Sequence, residues 1–291
     1  MKNTVFIHTN AKQMIGALVS AHTLKRNAAN PDSFDVKILN REDFSFFDAK
    51  EGKPFLRGGS ERIWKNDDLQ SFTPLRFMPP EAMDYQGRAA VIDPDIFAVG
   101  DVGELLTMDM EGKAIRCVPR PGHNNSVDYL ATSVMLMDCA KLTHWRCEEH
   151  FNEMFDFKRD YVQWIELALE PRDSIGLLDP IWNSFDRLEK DTRLLHNTKR
   201  RTQPWKTGLP VDFTVRAKHG PLSPITWVKQ LHSSVVGKGR YKRHPDPRQE
   251  RFFFDMLKEC IDQGSITEDR IRDEMQKNNV RHDALQMIEA A

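Results

Sequence analysis

The sequence predicts an α/β fold in which helices cover both faces of a mixed sheet. Apolar runs predict strands at residues 5–7 and 89–92, and residues 35–39, 113–118 and 132–137 are further predicted strands. Segments of helical periodicity lie between several of them, at residues 11–26 and 139–155. Strands that alternate with helices are typical of sheets covered on both faces.

The first strand, at residues 5–7, leads into the first helix, because four apolar residues recur at helical spacing between residues 14 and 24. Residues 40–70 are polar, contain glycine and lack periodicity, so we predict a long surface loop there. The run at residues 89–92 is apolar throughout, which favours a central, buried strand. A capped helix is predicted to begin after Asp101.

The last part of the chain has a different character. Two prolines interrupt it, residues 237–247 are basic and rich in Pro and Gly, and helical periodicity extends over residues 248–288. We therefore predict a main α/β domain at residues 1–218 and a helical C-terminal appendage at residues 219–291.

The 291 residues include 42 basic and 43 acidic side chains, and the formal net charge of −1 gives no general attraction to nucleic acid. For the basic run at residues 238–244, the open interpretations are contact with an anionic partner or membrane headgroups and a solvated loop. No apolar stretch has the length of a signal-peptide core or a membrane span. The four cysteines form no CxxC pair, which favours free thiols and a cytoplasmic location.

Two aspartates one residue apart follow the predicted strand at residues 89–92. Pro94 lies between Asp93 and Asp95 and restricts the backbone at its own position and at the preceding one. Carboxylates held in this way suit Mg²⁺ or Mn²⁺, which also accept phosphate oxygens. A ligand site is expected at the carboxyl end of a strand in an open α/β sheet. Ordinary solvated acids are the alternative interpretation of this motif.

Three blocks of residues occur in a defined order. Arg76 lies in the stretch TPLRF, and the strand that ends in Asp93 and Asp95 is followed by the helix start DVGEL. The elements PIWN, LLHNTK and QPW come between residues 180 and 205. These blocks resemble the donor-binding core and the late elements of the glycogenin-type glycosyltransferases, whose fold is called GT-A. The resemblance spans about residues 5–206 and implies a GT-A-like fold here.

The resemblance implies that Asp93, Asp95 and His196 hold Mn²⁺ or Mg²⁺. Two carboxylates and one imidazole would leave positions on the cation for diphosphate oxygens of a nucleotide-sugar donor, and UDP is the usual nucleotide of the family. The cation would neutralise charge on the departing nucleoside diphosphate. Taken alone, His196 would be interpreted as a buried, hydrogen-bonded structural histidine.

The resemblance also implies contacts with the nucleotide sugar. Thr9 and Asn10, at the end of the first strand, match positions that contact the base and the ribose. Arg76 matches an arginine near the nucleotide and the reacting sugar, and its alternative is a surface arginine. Asp93 is expected to bind the donor as well as the metal.

The candidate for a phosphate-binding cation is less defined, because the family's lysine before Pro-Trp is Gln203 here. Lys199, Arg200 and Arg201 lie just upstream, and one of them could supply the charge. A solvated basic turn is the alternative interpretation of these residues.

A second departure from the family lies at residues 131–134, Ala-Thr-Ser-Val, where the family usually has Asn, a small residue, Gly and an apolar residue. The identity of the donor sugar is therefore open. The resemblance implies that Asp160 or Gln163 stands in the region where related enzymes place polar groups beside the anomeric carbon, and with Arg76 they are the predicted catalytic residues. An amphipathic helix with an exposed Asp and Gln is the alternative.

The sequence thus predicts a metal-dependent glycosyltransferase that moves a hexose from a nucleotide sugar, with UDP as the family default, to an acceptor hydroxyl. Retention of configuration is implied by the resemblance alone. The acceptor, whether a carbohydrate, a lipid-linked molecule or a protein, is open. The alternatives are a nucleotide-sugar hydrolase or nucleotidyltransferase, and an inactive scaffold that binds nucleotide sugars.

Overall fold

The computed structural model describes residues 2–120, 129–213 and 239–291. The chain forms two compact units. The first contains Met1–Asp67 and Ser71–His196, and the second contains Asp68–Gln70 and Asn197–Ala291. The predicted domain boundary at residue 218 lies outside the described residues and stays a prediction.

Most of the predicted elements are present. The strands of the described residues are β1 (Asn3–Thr9), β2 (Phe34–Asn40), β3 (Pro54–Arg57), β4 (Ser60–Ile63), β5 (Arg88–Ile92), β6 (Ile96–Ala98), β7 (Ile115–Arg120), β8 (Tyr129–Asp138), β9 (Ile175–Leu177), β10 (Ser184–Phe185) and β11 (Leu194–His196). The α-helices of the described residues are α1 (Met14–Arg26), α2 (Pro79–Ala82), α3 (Val102–Thr107), α4 (Cys147–Phe155), α5 (Tyr161–Ile165), α6 (Pro247–Asp262), α7 (Glu268–Gln276) and α8 (Ala284–Glu289). The five predicted strands are confirmed as β1, β2, β5, β7 and β8.

In the part of the chain that the structure describes, the main sheet has six strands in the order β2-β1-β5-β8-β7-β9. β1 is parallel to β2 and β5, β8 is antiparallel to β5 and β7, and β9 is parallel to β7. A smaller sheet has the order β10-β11-β6, in which β11 is antiparallel to β6. The mixed sheet that the sequence predicts is thus confirmed.

Apolar side chains leave the main sheet on both faces, which is why its central strands are continuous apolar runs. One face contributes to the first core, which includes Phe6, Val91, Met135 and Met137. The other face contributes to the second core, which includes Val5, Ile92, Val134 and Leu136. Successive residues of a strand therefore alternate between the two cores.

The prediction of a surface loop at residues 40–70 is wrong. Phe47, Phe55 and Trp64 are at most 5% exposed and belong to the first core. Short 3₁₀ turns and the β3–β4 hairpin carry these rings inward, and Trp64 packs edge to face against Phe55 with ring centroids 5.4 Å apart. Turns and a short hairpin do not require a regular spacing of apolar residues over many positions, so the sequence pattern does not indicate this burial.

The helix predicted at residues 139–155 begins later than expected. Cys139–Lys141 forms a 3₁₀ turn, and α4 begins only at Cys147. The Glu81 side chain accepts a hydrogen bond from the Cys147 amide at 3.3 Å and so caps this helix from 66 positions away. A cap that comes from tertiary structure leaves no local signal in the sequence.

The second unit contains α6, α7 and α8, so the helical character predicted for residues 248–288 is confirmed. The side chain of Asp246 caps α6, and that of Thr267 caps α7. Trp205 stacks on Phe253 of α6, with ring centroids 4.8 Å apart.

The longest described helix, α6, has 16 residues, and none of the described helices combines the length and the apolar character of a membrane span. All four cysteines are buried free thiols, as predicted. Burial raises the pKa of each of these thiols.

Phe47→Ala should lower the free energy of unfolding by about 3–5 kcal/mol, because it removes a fully buried ring from the first core. Phe157→Ala removes a ring that is 46% exposed and should change the free energy of unfolding by about 0.5 kcal/mol at most. Urea denaturation of both variants measures the difference. Equal effects would contradict the packing described for residues 40–70.

Candidate metal centre

The register of the smaller sheet brings a distant histidine beside the two aspartates. Asp93 and Asp95 lie in the connection between the end of β5 and the start of β6. His196 is the last residue of β11 and pairs with Ile96 of β6, one residue beyond Asp95. The backbone pairing of β6 and β11 therefore sets the position of the imidazole.

The three side chains form a compact cluster. Each offers one oxygen or nitrogen atom, and these atoms all lie within 4.8 Å of one another. Nε2 of His196 is 3.4 Å from Oδ1 of Asp95. The exposed fraction of the side chain is 14% for Asp93, 11% for Asp95 and 5% for His196. The structure thus brings together the residues that the sequence predicts as metal ligands.

A hydrogen bond to the second ring nitrogen orients His196. Its Nδ1 lies 2.8 Å from Oδ1 of Asn183, which is fully buried. An amide oxygen only accepts hydrogen bonds, so Nδ1 carries a proton, and in the neutral imidazole the lone pair is therefore on Nε2, which faces Asp95. Histidines that bind metals are commonly held by a bond of this kind. His196 is therefore both the buried, hydrogen-bonded residue of the alternative interpretation and a suitable ligand.

Asp93 is held by an arginine and a second histidine. Nη2 of Arg76 lies 2.7 Å from Oδ1 and 2.6 Å from Oδ2 of Asp93, and Nε of Arg76 lies 3.0 Å from Oδ1. Nε2 of His8 is 3.0 Å from the same Oδ1 and 3.2 Å from Nε of Arg76. Since Arg76 Nε already donates to Asp93, we assign the His8 proton to Nε2, which donates to Asp93 as well. The alternative of a surface arginine at position 76 is wrong.

These contacts decide the charges of the cluster. Burial opposes the ionisation of Asp93, but the Arg76 guanidinium and the hydrogen bond from His8 outweigh it and hold the pKa of this carboxyl well below its usual value. Burial lowers the pKa of His8, against the opposing influence of Asp93. Asp93 is therefore ionised and His8 neutral near pH 7.

The set of donor atoms suits a divalent cation. Among the described residues, Oδ2 of Asp93 accepts a hydrogen bond from Arg76 alone, so a lone pair of this oxygen stays available. Asp95 offers a second carboxylate oxygen, and His196 offers Nε2. Two hard oxygens and one imidazole nitrogen at this spacing form a ligand set that Mn²⁺ or Mg²⁺ accepts.

No family model and no curated protein sequence matches the chain. Two crystal structures of the glycosyltransferase GlyE from Streptococcus pneumoniae TIGR4 are similar to it, each with a TM-score of 0.50. The identity is 15% for one structure and 16% for the apo form. The chain has the GT-A fold. The match covers 90% of this chain and 64% of GlyE, so the chain spans less than two thirds of the length of GlyE.

Thr9 and Asn10 lie at the carboxyl end of β1, which is the neighbour of β5 in the main sheet. Both residues are buried. Oγ1 of Thr9 lies 3.2 Å from the Asn10 carbonyl oxygen, and Nδ2 of Asn10 donates to Oγ of Ser71 at 3.3 Å. Since parallel strands end at the same edge, both residues lie at the edge that carries Asp93. Their contact with base and ribose stays a prediction.

Asp160 is the N-cap of α5. Its Oδ1 accepts hydrogen bonds from the amides of Val162 (2.7 Å) and Gln163 (3.3 Å), and its Oδ2 accepts one from the amide of Gly59 (2.7 Å). The carboxylate thereby ties α5 to the β3–β4 hairpin. The Gln163 side chain is exposed. A catalytic role of Asp160 and Gln163 stays a prediction.

The candidates for the phosphate-binding cation belong to the second unit. Lys199 and Arg201 are exposed, and Arg200 is half-buried with its guanidinium 5.6 Å from the centroid of the Phe213 ring. Gln203, which replaces the family's lysine, is buried. The choice among the three basic residues stays a prediction.

The basic run at residues 238–244 also belongs to the second unit. Lys238 lies outside the described residues, and most of the other residues of the run are exposed. The Lys242 amide donates to the Arg201 carbonyl oxygen at 2.7 Å, so the two basic segments adjoin. Contact of this run with membrane headgroups stays a prediction.

Sequence reasoning missed His8, Asn183 and Ser133. Asn183 lies in the late block PIWN, which could have pointed to it. His8 is a polar residue directly after an apolar strand run, a position that indicates a site but not a partner. Oγ of Ser133 accepts a hydrogen bond from Nδ2 of Asn183 at 2.8 Å, and no periodic pattern indicates this contact.

Asp160→Ala should lower the free energy of unfolding by about 1–2 kcal/mol at pH 7, because it removes the cap of α5. Burial raises the pKa of Asp160, but the backbone amides, first that of Gly59, outweigh it and lower the pKa below its usual value. The ionised cap therefore stabilises the fold above the unfolded-state pKa, and this contribution is lost as the pH falls through the folded-state pKa. The difference between wild type and Asp160→Ala should shrink between about pH 5 and about pH 3 in denaturation experiments.

A penalty for Asp160→Ala that stays constant down to about pH 3 would contradict the capping role. Asp160→Asn keeps an oxygen that can cap the helix and should cost less stability. If Asp160→Asn folds like the wild type but loses turnover, the predicted catalytic role gains support.

Proposed function

We propose that this chain is a metal-dependent glycosyltransferase of the glycogenin type, which transfers a hexose from a UDP-sugar to an acceptor hydroxyl with retention of configuration. The observation that carries the proposal is the convergence of Asp93, Asp95 and His196 at the carboxyl edge of the sheet in a GT-A fold. Open α/β sheets bind their ligands at this edge. GlyE, which has the same fold, is a glycosyltransferase, and this supports the reaction class.

In this proposal Asp93, Asp95 and His196 hold Mn²⁺ or Mg²⁺. A cation bound there supplies Lewis-acid chemistry, because it neutralises charge on the departing nucleoside diphosphate. Arg76 keeps Asp93 ionised, and Asn183 keeps the proton of His196 on the nitrogen that faces away from the cluster. The neighbouring residues thus keep Asp93 ionised and orient the ring of His196.

The donor is proposed to lie along the carboxyl ends of the strands, with its base and ribose at Thr9 and Asn10. Lys199, Arg200 or Arg201 would add positive charge near the diphosphate. A substrate screen would identify the donor sugar and the class of acceptor. The buried free thiols favour a cytoplasmic location.

Arg76, Asp160 and Gln163 are the proposed catalytic residues. The guanidinium of Arg76 is already fixed beside Asp93, which suits it to contact the reacting sugar while it holds the ligand. We propose that the exposed Gln163 contacts a bound donor or acceptor, whereas Asp160 would act in addition to its role as a helix cap.

A screen of nucleotide sugars should find a donor from which the purified protein releases nucleotide only in the presence of Mn²⁺ or Mg²⁺. Asp95→Ala should reduce this release by about 100-fold or more, because it removes a ligand of the cation. Asp35→Ala is the matched control. Asp35 is exposed near the start of β2, at the opposite edge of the sheet, so its loss should leave release unchanged.

The products of the same screen separate the possible reactions. Sugar on an added acceptor, with the anomeric configuration of the donor by NMR, supports retaining transfer. Free sugar alone would indicate a hydrolase, and calorimetric binding of UDP without turnover of any donor would indicate an inactive scaffold. Undiminished release by Asp95→Ala would refute the metal assignment.

A further inference from the structure

A bulge in β8 lies next to the candidate metal centre. Cys117 of β7 pairs with Met135 of β8, but the next residue, Val118, pairs with Ala131. Residues 132–134 are therefore extra residues opposite a single step of β7. Bulges are frequent beside functional sites, because they redirect side chains.

The bulge reverses the directions of two consecutive side chains. Met135 faces the first core and Val134 the second. Regular alternation would therefore point Ser133 to the side of the first core and Thr132 to the side of the second. The observed contacts of Thr132 and Ser133 are the opposite.

Thr132 reaches the Asp93 side of the centre. Its Oγ1 accepts a hydrogen bond from Nη1 of Arg76 at 2.9 Å and donates one to the carbonyl oxygen of Ile165 at 2.6 Å. Ile165 packs against the first core. Since Nη2 and Nε of Arg76 hold Asp93, the bond to Thr132 engages the third nitrogen and fixes the plane of the guanidinium.

Ser133 reaches the His196 side of the centre. Its Oγ accepts a hydrogen bond from Nδ2 of Asn183, which follows Trp182 of the second core, and Oδ1 of Asn183 holds Nδ1 of His196. Both distances are 2.8 Å. The Ser133 carbonyl oxygen also accepts a hydrogen bond from the Asp93 amide at 3.1 Å. Ser133 therefore contacts the backbone of Asp93 directly and the side chain of His196 through the amide of Asn183.

We propose that the two hydroxyls of this bulge, on Thr132 and Ser133, position the side chains of the metal centre. Each hydroxyl acts through one polar side chain. Thr132 orients the guanidinium of Arg76, which holds Asp93, and Ser133 orients the amide of Asn183, which holds His196. The proposal rests on the proposed function, because it gives both hydroxyls a role at that centre. It also explains the departure at residues 131–134, where Ser133 stands in place of the glycine of the glycogenin-type pattern.

The physical basis is the cost of a buried amide without a partner. Asn183 is fully buried, so loss of the Ser133 hydroxyl leaves its Nδ2 unsatisfied and favours reorientation of the amide. Nδ1 of His196 then loses its fixed acceptor. A neutral imidazole without such a partner populates both tautomers, and the one protonated on Nε2 has no lone pair for a cation at that atom.

The first test compares Ser133→Ala with Ser133→Thr, which keeps a hydroxyl. Ser184→Ala is the matched control, because its hydroxyl in β10 bonds the Arg187 carbonyl oxygen instead. In metal-free protein slightly above neutral pH, ¹⁵N NMR of labelled histidine reports the tautomer of His196. The signals of His196 are identified by their absence from the spectrum of His196→Gln. We expect protonation on Nδ1 in the wild type, Ser133→Thr and Ser184→Ala, and a mixture of tautomers in Ser133→Ala.

The second test is titration with Mn²⁺ alone, followed by the EPR signal of the free ion. Ser133→Ala should weaken Mn²⁺ binding by about 10-fold or more, and Ser133→Thr by about twofold at most. Thr132→Val should weaken it as Ser133→Ala does but leave the tautomer of His196 unchanged, because it acts on Asp93.

A pure Nδ1 tautomer in Ser133→Ala would overturn the role of Ser133, and wild-type Mn²⁺ affinity in Thr132→Val would overturn that of Thr132. If the wild type binds no Mn²⁺, the proposed function fails, whereas the tautomer measurement needs no metal and still decides the role of Ser133. If Ser133→Ala does not fold, Ser133→Cys replaces it, since a thiol is a weak hydrogen-bond partner.

Discussion

An ionised carboxylate that is largely buried at the end of β5 requires positive charge and hydrogen-bond donors close to it. Arg76 and His8 meet this requirement for Asp93. Arg76 lies in the 3₁₀ turn Thr73–Phe77, in which Leu75 and Phe77 are buried in the first core, so packing holds the guanidinium in place. The ionisation of Asp93 thus depends on the position of the Arg76 guanidinium, which in turn depends on the packing of this turn.

The same pairing limits how Asp93 can bind a cation. Hydrogen bonds from Arg76 and His8 crowd its Oδ1, whereas Oδ2 accepts from Arg76 alone among the described residues. A cation would therefore share Asp93 with Arg76 instead of displacing it. The carboxylates of Asp93 and Asp95 balance a divalent cation and leave the charge of Arg76 uncompensated, so a diphosphate would complete the charge balance of the centre. Cation and nucleotide are expected to favour each other's binding for this reason.

The sequence predicted the strands and helices that have a regular pattern of apolar residues. β1 and β5 are continuous apolar runs because both of their faces are covered, and they lie where expected. The grouping of the two aspartates with His196 came from the order of motifs, since nothing in the long stretch between them indicates contact. The features that the sequence did not indicate share a cause. The buried rings of residues 40–70, the cap that Glu81 supplies to α4 and the bulge at residues 132–134 depend on tertiary contacts, which produce no periodic pattern in the sequence.

The most direct test of the central claim is the position of a bound cation. Anomalous diffraction from crystals soaked with Mn²⁺ and UDP would locate it. We predict one anomalous peak, at bonding distance from Oδ2 of Asp93, a carboxylate oxygen of Asp95 and Nε2 of His196. Arg76 should still be paired with Asp93. A peak elsewhere, or no peak between these three side chains at saturating Mn²⁺, would contradict the claim that they form a metal centre.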